Sequence, residues 1–394
     1  MTDVVLASAC RTPIGRFQGT LSSFTAPQLG AHVAAEAIRR AGLKPEDVDE
    51  TIMGNVLGAG LGQAPARQVS RGAGIPDHTS ALTINKVCGS GLKAVMLAAQ
   101  AVKCGDSEVV VAGGMESMTN APYIVPKARD GMRLGHAQIV DSMIADGLWD
   151  PYYDMHMGLT GEAVSEKYEV SRDAQDEWAA ESHRRACAAI EAGAFKSEIA
   201  PVEIKPRKKD PWSFDTDEGP RSDVTAAGLG KLRPAFQREG GTVTAGNASS
   251  INDGAAATVV LSAEKAASLG VKPLAKITGY AVGGTDPKWV MMAPVEAVKK
   301  LNAKTGREMK DYDLIELNEA FSSQCCAVRN IWDVPHEKVN VNGGAVALGH
   351  PIGASGARVL TTLIHALKAR DLKHGLATLC LGGGNAVAMS VEVL

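Results

Sequence analysis

Ser90-Gly-Leu-Lys-Ala-Val-Met-Leu-Ala-Ala-Gln-Ala-Val-Lys103, then Glu108-Val-Val-Val-Ala112 and Gly113-Gly114, reads as a helix, a strand and a glycine turn. The same order returns later. Ser355-Gly356 opens a helical stretch from Ala357 to Lys368, an apolar strand runs from Leu376 to Leu381, and Gly382-Gly383 follows. The offset from Ser90 to Ser355 is 265 residues. A second landmark agrees. The amphipathic helix Ala26 to Gly42, with Pro27 tolerated in its first turn, precedes Thr51-Ile-Met and Gly54-Asn55. Pro294 to Gly306 precedes Leu314 to Leu317 and Asn318, and Asn55 lies 263 residues from Asn318. Two landmarks at nearly one offset predict an α/β protein made of two copies of one unit.

Working outward, about Ser117 to Ala248 has no counterpart in the second copy. It is richer in charge and proline, as in Lys205-Pro-Arg-Lys-Lys-Asp-Pro211, and holds one strong helix, Ser171 to Gly193. Ser171 fits the N-cap and Gly193 the stop. Glu181, Arg184 and Arg185 are expected on its solvated face. The predicted layout is a first half over residues 1–117 with about 249–270, an insertion over 118–248 that covers a site between the halves, and a second half over 271–394.

The 394 residues exceed one ordinary core. A hydrophobic fraction of 45% with 22% charged residues is that of a soluble globular protein. A net charge of −3 without a basic block argues against a nucleic-acid footprint, and 4% aromatics argues against stacking platforms. Seven irregularly spaced cysteines, with no C-x-x-C pair, argue against structural zinc and for reduced thiols in a cytoplasmic protein. The first residues read as a short strand, not a signal peptide. No apolar run reaches membrane-spanning length, and Val-Glu-Val-Leu394 carries no peroxisomal address.

Three reactive side chains sit in glycine-rich turns. Cys88 lies in Asn85-Lys-Val-Cys-Gly-Ser-Gly91, just before a helix. A thiol at a helix start feels the positive end of the dipole, so thiolate character and a nucleophilic role are expected. His350 lies in Gly349-His-Pro-Ile-Gly-Ala354, fixed in a loop as catalytic histidines often are. Cys380 ends a strand before Gly382-Gly-Gly384. Its thiol suits an acid or base, and the nearby amides suit an oxyanion.

These segments resemble the thiolase family of acyl-CoA C-acyltransferases nearly end to end. The likeness includes Arg11-Thr-Pro-Ile-Gly-Arg-Phe17, Asn85 to Gly91, Gly113-Gly-Met-Glu-Ser-Met118, Thr244-Ala-Gly-Asn-Ala-Ser249, Asn252-Asp-Gly-Ala255, Asn318-Glu-Ala-Phe321 and the His350 and Cys380 segments. The resemblance implies a layered αβαβα core of duplicated halves with an inserted loop domain. It implies condensation of acetyl-CoA to acetoacetyl-CoA, or thiolysis of short 3-oxoacyl-CoA, through an acyl-Cys88 intermediate. His350 would activate Cys88 and help bind the thioester oxygen, and Cys380 would move the α-proton. Asn318 would hold a water in one oxyanion hole, and the N–H groups of Cys88 and Gly382 would form the other. His156, Met157, Arg221, Ser249 and Phe321 would contact coenzyme A or its acyl group. Coenzyme A is then substrate, with no prosthetic group and no metal required, and a homodimer or homotetramer is expected.

Three readings compete. A 3-oxoacyl synthase would carry histidine where Cys380 stands. A non-catalytic acyl-CoA-binding subunit would not need the whole Cys-Asn-His-Cys set. A papain-like Cys-His-Asn protease calls for a secreted or lysosomal precursor. The chain also departs from the family pattern. Thr160-Gly-Glu-Ala163 replaces Thr-Ala-Glu-Asn, and Gly384-Asn385-Ala386 lacks a further glycine. Lys288-Trp-Val-Met-Met-Ala-Pro294 replaces Val-Met-Gly-x-Gly-Pro. Met291 and Met292 are expected to shorten the acyl tunnel.

Overall fold

The computed structural model describes residues 2–206, 208 and 210–394. Arg207 and Lys209 of the basic, proline-rich stretch lie outside the described residues. The strands that matter are β1 (Val4–Arg11), β2 (Glu50–Gly54), β3 (Ser80–Ile84), β4 (Val109–Ser117), β5 (Asn252–Ser262), β6 (Ala275–Gly284), β7 (Leu314–Leu317), β8 (His374–Leu381) and β9 (Asn385–Val393). The helices are α1 (Ala26–Arg40), α2 (Ser90–Cys104), α3 (Met157–Lys167), α4 (Arg172–Glu191), α5 (Ala293–Thr305), α6 (Ser322–Trp332) and α7 (Ile352–Ala369).

The duplication is visible in strand order. The first half runs β1-β5-β4-β2-β3 and the second β6-β9-β8-β7. In each, the first two pairings are antiparallel and the next is parallel. The halves join through two residue pairs, Val5↔Lys276 and Leu6↔Ala275. Strands of both halves pack on the central helices α2 and α7. Helix α1 covers the outer face of the first half and α5 that of the second, giving αβαβα layers. Strand β4 shows why its sequence is a continuous apolar run. Val109 and Val111 face α1, while Val110 and Ala112 face the central helices, so both faces are buried.

Two elements run longer than their sequence suggests. Strand β4 does not stop at Ala112 but continues through Gly113-Gly114 to Ser117. These glycines are strand residues because backbone presses on them: a Cβ on Gly114 would stand 2.0 Å from the Gly353 carbonyl oxygen. Helix α7 opens at Ile352, before Ala357, on the fixed φ of Pro351, whose carbonyl accepts from the N–H of Ala354 and Ser355.

Glycines also set the crossing of α2 and α7. A Cβ on Gly91 would meet Ala357 N at 2.7 Å, and one on Gly356 would meet Leu92 N at 2.4 Å. Gly356→Ala is expected to cost about 1–3 kcal/mol by forcing these backbones apart. A lower Tm than the parent checks it, and an unchanged Tm would show that the crossing relaxes freely.

Residues 118–251 connect β4 to β5. The matching connection in the second half, from β8 to β9, is only the turn Gly382–Gly384. Buried ion pairs tie the longer connection down. Arg11 on β1 donates to Glu198 at 2.5 Å and to both Asp217 oxygens at 2.7 and 2.9 Å. Ser171 caps α4 through Ala174 N, and Gly193 after the helix has φ +69°. The expected solvated face is only partly so. Arg184 is exposed, but Arg185 turns inward and donates to the Val339 carbonyl at 2.6 Å.

Candidate active site

Cys88 sits on a strained turn that feeds α2. Val87 has φ +45°, a left-handed conformation costly for a β-branched residue. Its neighbours hold it there. Val87 N donates to Asn85 Oδ1 at 3.0 Å, Lys86 N to Ser90 Oγ at 2.8 Å, and Ser90 Oγ to the Val87 carbonyl at 2.6 Å.

Ser355 braces the other turn. Ser355 Oγ lies 2.9 Å from the Pro351 carbonyl, which only accepts, and 2.7 Å from His350 Nδ1. The single hydroxyl proton therefore goes to Pro351, and Nδ1 carries the proton that Ser355 receives. His350 Nε2 is left bare, with no hydrogen-bond partner among the described residues, and His350 lines the cavity. Backbone His350 N donates to Asn252 Oδ1 at 2.9 Å.

Cys88, His350, Cys380 and Gly382 open into one cavity of about 250 Å³ with mostly apolar walls. His156, Met157, Ser249 and Phe321 line the same space. His156 and Met157, from the long connection between β4 and β5, thus form part of one wall. The His156 ring stacks on Phe236 at 4.7 Å, and its Nδ1 accepts from Gly158 N at 3.0 Å. Burial lowers the His156 pKa, so the ring stays neutral. Asn318 stands behind His350: its Nδ2 is 3.5 Å from His350 Nδ1, and its Oδ1 accepts from Arg358 at 3.3 Å. Arg221 is not brought to the cavity. It borders a separate groove beside α4, and its N–H donates to His183 Nδ1 at 3.2 Å.

The electrostatics correct one expectation. The helix start does not leave Cys88 a ready thiolate. Cys88 is half-buried and its thiol opens onto the apolar cavity, whose burial of the sulfur pushes its pKa up to about 12. The backbone N–H groups of Cys88 and Gly382 pull the other way without winning, and the nearby Glu116 charge adds to the rise. Burial, then the charge of Arg358, lowers His350 to about 3, so its imidazole is neutral and keeps a free lone pair at Nε2. Burial likewise pushes the Cys380 thiol well up, and Cys88 adds to it. Alkylation of Cys88 by iodoacetamide is therefore expected to keep rising from pH 7 to 9, by up to about tenfold per pH unit, as thiolate fraction grows. A rate already level at pH 7 would show that the dipole outweighs burial after all.

Some of the site left no mark in the sequence. Phe236 falls outside every recognisable motif and reaches the site only through the fold of the connection between β4 and β5. Glu116 sits inside a quoted motif, yet nothing in its spacing shows that it accepts from Asn55 Nδ2 and from the N–H groups of Val56, Leu57 and Gly353. In doing so it ties the start of α7 to the first half. Of the two methionines, Met291 lines the cavity while Met292, also buried, packs behind it.

Residues 4–264 match the description "Thiolase, N-terminal domain" and residues 271–393 match "Thiolase, C-terminal domain". An acetyl-CoA acetyltransferase of Pseudomonas aeruginosa is 54% identical over 393 residues, covering 99% of each chain. One of Cupriavidus necator is 55% identical over 392 residues, covering 100% of both. The crystal structure of the Bacillus anthracis acetyl-CoA acetyltransferase superimposes with a TM-score of 0.97 at 46% identity, covering 100% of this chain and 99% of that one.

Proposed function

The chain belongs to the thiolase family, and from that premise we propose that it joins two acetyl-CoA molecules into acetoacetyl-CoA, and runs the reverse thiolysis, with Cys88 as nucleophile. It is an acyltransferase acting on acyl-CoA thioesters. The observation that carries the assignment of roles is the meeting of two thiols, a bare imidazole nitrogen and the Gly382 turn at one apolar cavity. The synthase-type and non-catalytic readings lose their ground beside relatives named acetyl-CoA acetyltransferase over the whole chain.

In condensation, the Cys88 proton passes to His350 Nε2 and Sγ bonds to the thioester carbonyl carbon. The carbonyl oxygen takes its developing charge to the N–H groups of Cys88 and Gly382, the same groups that face the thiol. Coenzyme A leaves as thiolate and takes the proton of Cys380. The Cys380 thiolate, an anion that burial strongly disfavours, is then a strong base for the α-proton of the second acetyl-CoA. The enolate oxygen accepts from protonated His350 Nε2, with Asn318 behind the ring. The enolate carbon bonds to the acyl carbon, the bond to Cys88 Sγ breaks, and the His350 proton returns to Cys88. Every group ends as it began.

Purified protein is expected to cleave acetoacetyl-CoA in the presence of coenzyme A, and to carry an acetyl group on the Cys88 peptide after mixing with acetyl-CoA. Absence of both overturns the reading. Coenzyme A bound without turnover would favour the non-catalytic subunit instead.

A further inference from the structure

The Gly382 N–H belongs to a turn of three glycines. Leu381 and Asn385 are the last residues paired between β8 and β9, and Gly382-Gly-Gly384 closes the hairpin, with Gly383 at φ +80° and Gly384 at φ +76°. Glycine has the most conformational freedom to lose. A donor on such a turn serves a developing oxyanion only when something else fixes its direction.

Two carbonyls of the turn are held. The Gly384 carbonyl accepts from Thr285 N at 2.7 Å, and the Gly383 carbonyl accepts from Asn385 Nδ2 at 3.1 Å. The other end of the Asn385 amide faces the nucleophile's turn. Its Oδ1 lies 3.5 Å from Lys86 Nζ, and both side chains are half-buried. Lys86 is built into that turn: its N–H donates to Ser90 Oγ at 2.8 Å, and its carbonyl accepts from Gly89 N at 3.1 Å. The amide has one workable orientation. Turned round, its oxygen would face a carbonyl and its NH₂ group an ammonium. Burial lowers the Lys86 pKa with no carboxylate offsetting it among the described residues, so a neutral acceptor matters more to the ammonium. The two turns also touch directly. A Cβ on Gly89 would run into Leu381, and one on Gly382 would meet Val87 at 3.4 Å. Asn385 stands in Gly384-Asn385-Ala386, a stretch that departs from the family pattern.

Resting on the functional reading above, we propose that Asn385 is a positioning residue for acyl transfer to Cys88: its amide ties the three-glycine turn to the cysteine turn, so that the N–H groups of Gly382 and Cys88 stay aimed at one point. Asn385 does not line the cavity and touches no reacting atom. It acts where the acyl carbonyl oxygen gathers charge between those two N–H groups. Enolate formation uses His350 Nε2 and does not depend on it.

Three readings on Asn385→Ala test this. Single-turnover acetylation of Cys88 by acetyl-CoA is expected to slow about tenfold, less than for outright loss of an oxyanion donor, because the Gly382 N–H is still present but loosely aimed. Exchange of the α-protons of an acetyl-CoA analogue into deuterated water should stay within about threefold of the parent, since the acid and base that move them are untouched. Alkylation of Cys88 by iodoacetamide at fixed pH should slow about threefold, because the Gly382 N–H also favours the thiolate, while exposed Cys104 reacts as before. Lys86→Met breaks the other end of the tie, and adding it to Asn385→Ala should cost at most about twofold beyond the larger single change. If Asn385→Ala does not fold, Asn385→Leu, which keeps most of the volume without the amide, takes its place. Unchanged acetylation in the folded variant overturns the proposal alone. Acetylation and exchange falling by the same factor would make Asn385 a structural residue and overturn it too, as would full additivity with Lys86→Met. A parent that is not acetylated at all brings down the functional reading, and this proposal with it.

Discussion

Cys88→Ser is expected to lower acyl transfer at least 10³-fold and to remove the acetylated Cys88 peptide. Removing a covalent nucleophile forfeits the whole two-step route, and losses of this order or larger follow in enzymes that depend on one. The substitution is nearly isosteric, so the turn held by Asn85 and Ser90 should persist. A serine proton is far harder for neutral His350 to remove than a thiol proton, even one pushed up to about 12. Iodoacetamide supplies an internal control. Exposed Cys104 should still react while labelling at position 88 vanishes. More than a few per cent of parental activity in the variant would reject Cys88 as nucleophile.

Cys380→Ser is expected to split the reaction. Proton transfer to carbon should fall by about 10²- to 10⁴-fold, the usual worth of a positioned acid or base. Acetylation of Cys88 from acetyl-CoA should survive, because coenzyme A can take its proton from another donor. The measurement pairs a single-turnover acetylation assay with steady-state condensation. Lost acetylation with retained condensation would exchange the two cysteines' roles. Exchange of the α-protons of an acetyl-CoA analogue into deuterated water gives a second readout, and it should stop in this variant alone.

The duplicated architecture was legible because repetition is a property of order, not of geometry. Helix, strand and glycine recur at one offset whatever the packing. The places where reading stopped short are places where distant chain segments touch. Gly113 and Gly114 look like a turn, and only the approach of Gly353 and Ala256 backbone makes them strand. Cys88 looks like an activated thiol, because a helix start is a local signal. The apolar walls that outweigh it, Met118, Leu148 and Ile352 among them, come from three separate stretches. Ser355 was in view as the opening of a helix, yet its service to His350 depends on where Pro351 places a carbonyl. Arg185 shows the converse error. Its charge suggests water, but its guanidinium satisfies carbonyls at the C-terminal side of a neighbouring loop.

The crossing of α2 and α7 has a mechanical meaning. Gly91 lies three residues after Cys88, and Gly356 lies six after His350, so the point of contact sits directly beneath both reacting turns. There the two halves meet backbone to backbone with no side chain between them, so two glycines set the gap between the turn that carries the sulfur and the turn that carries the imidazole.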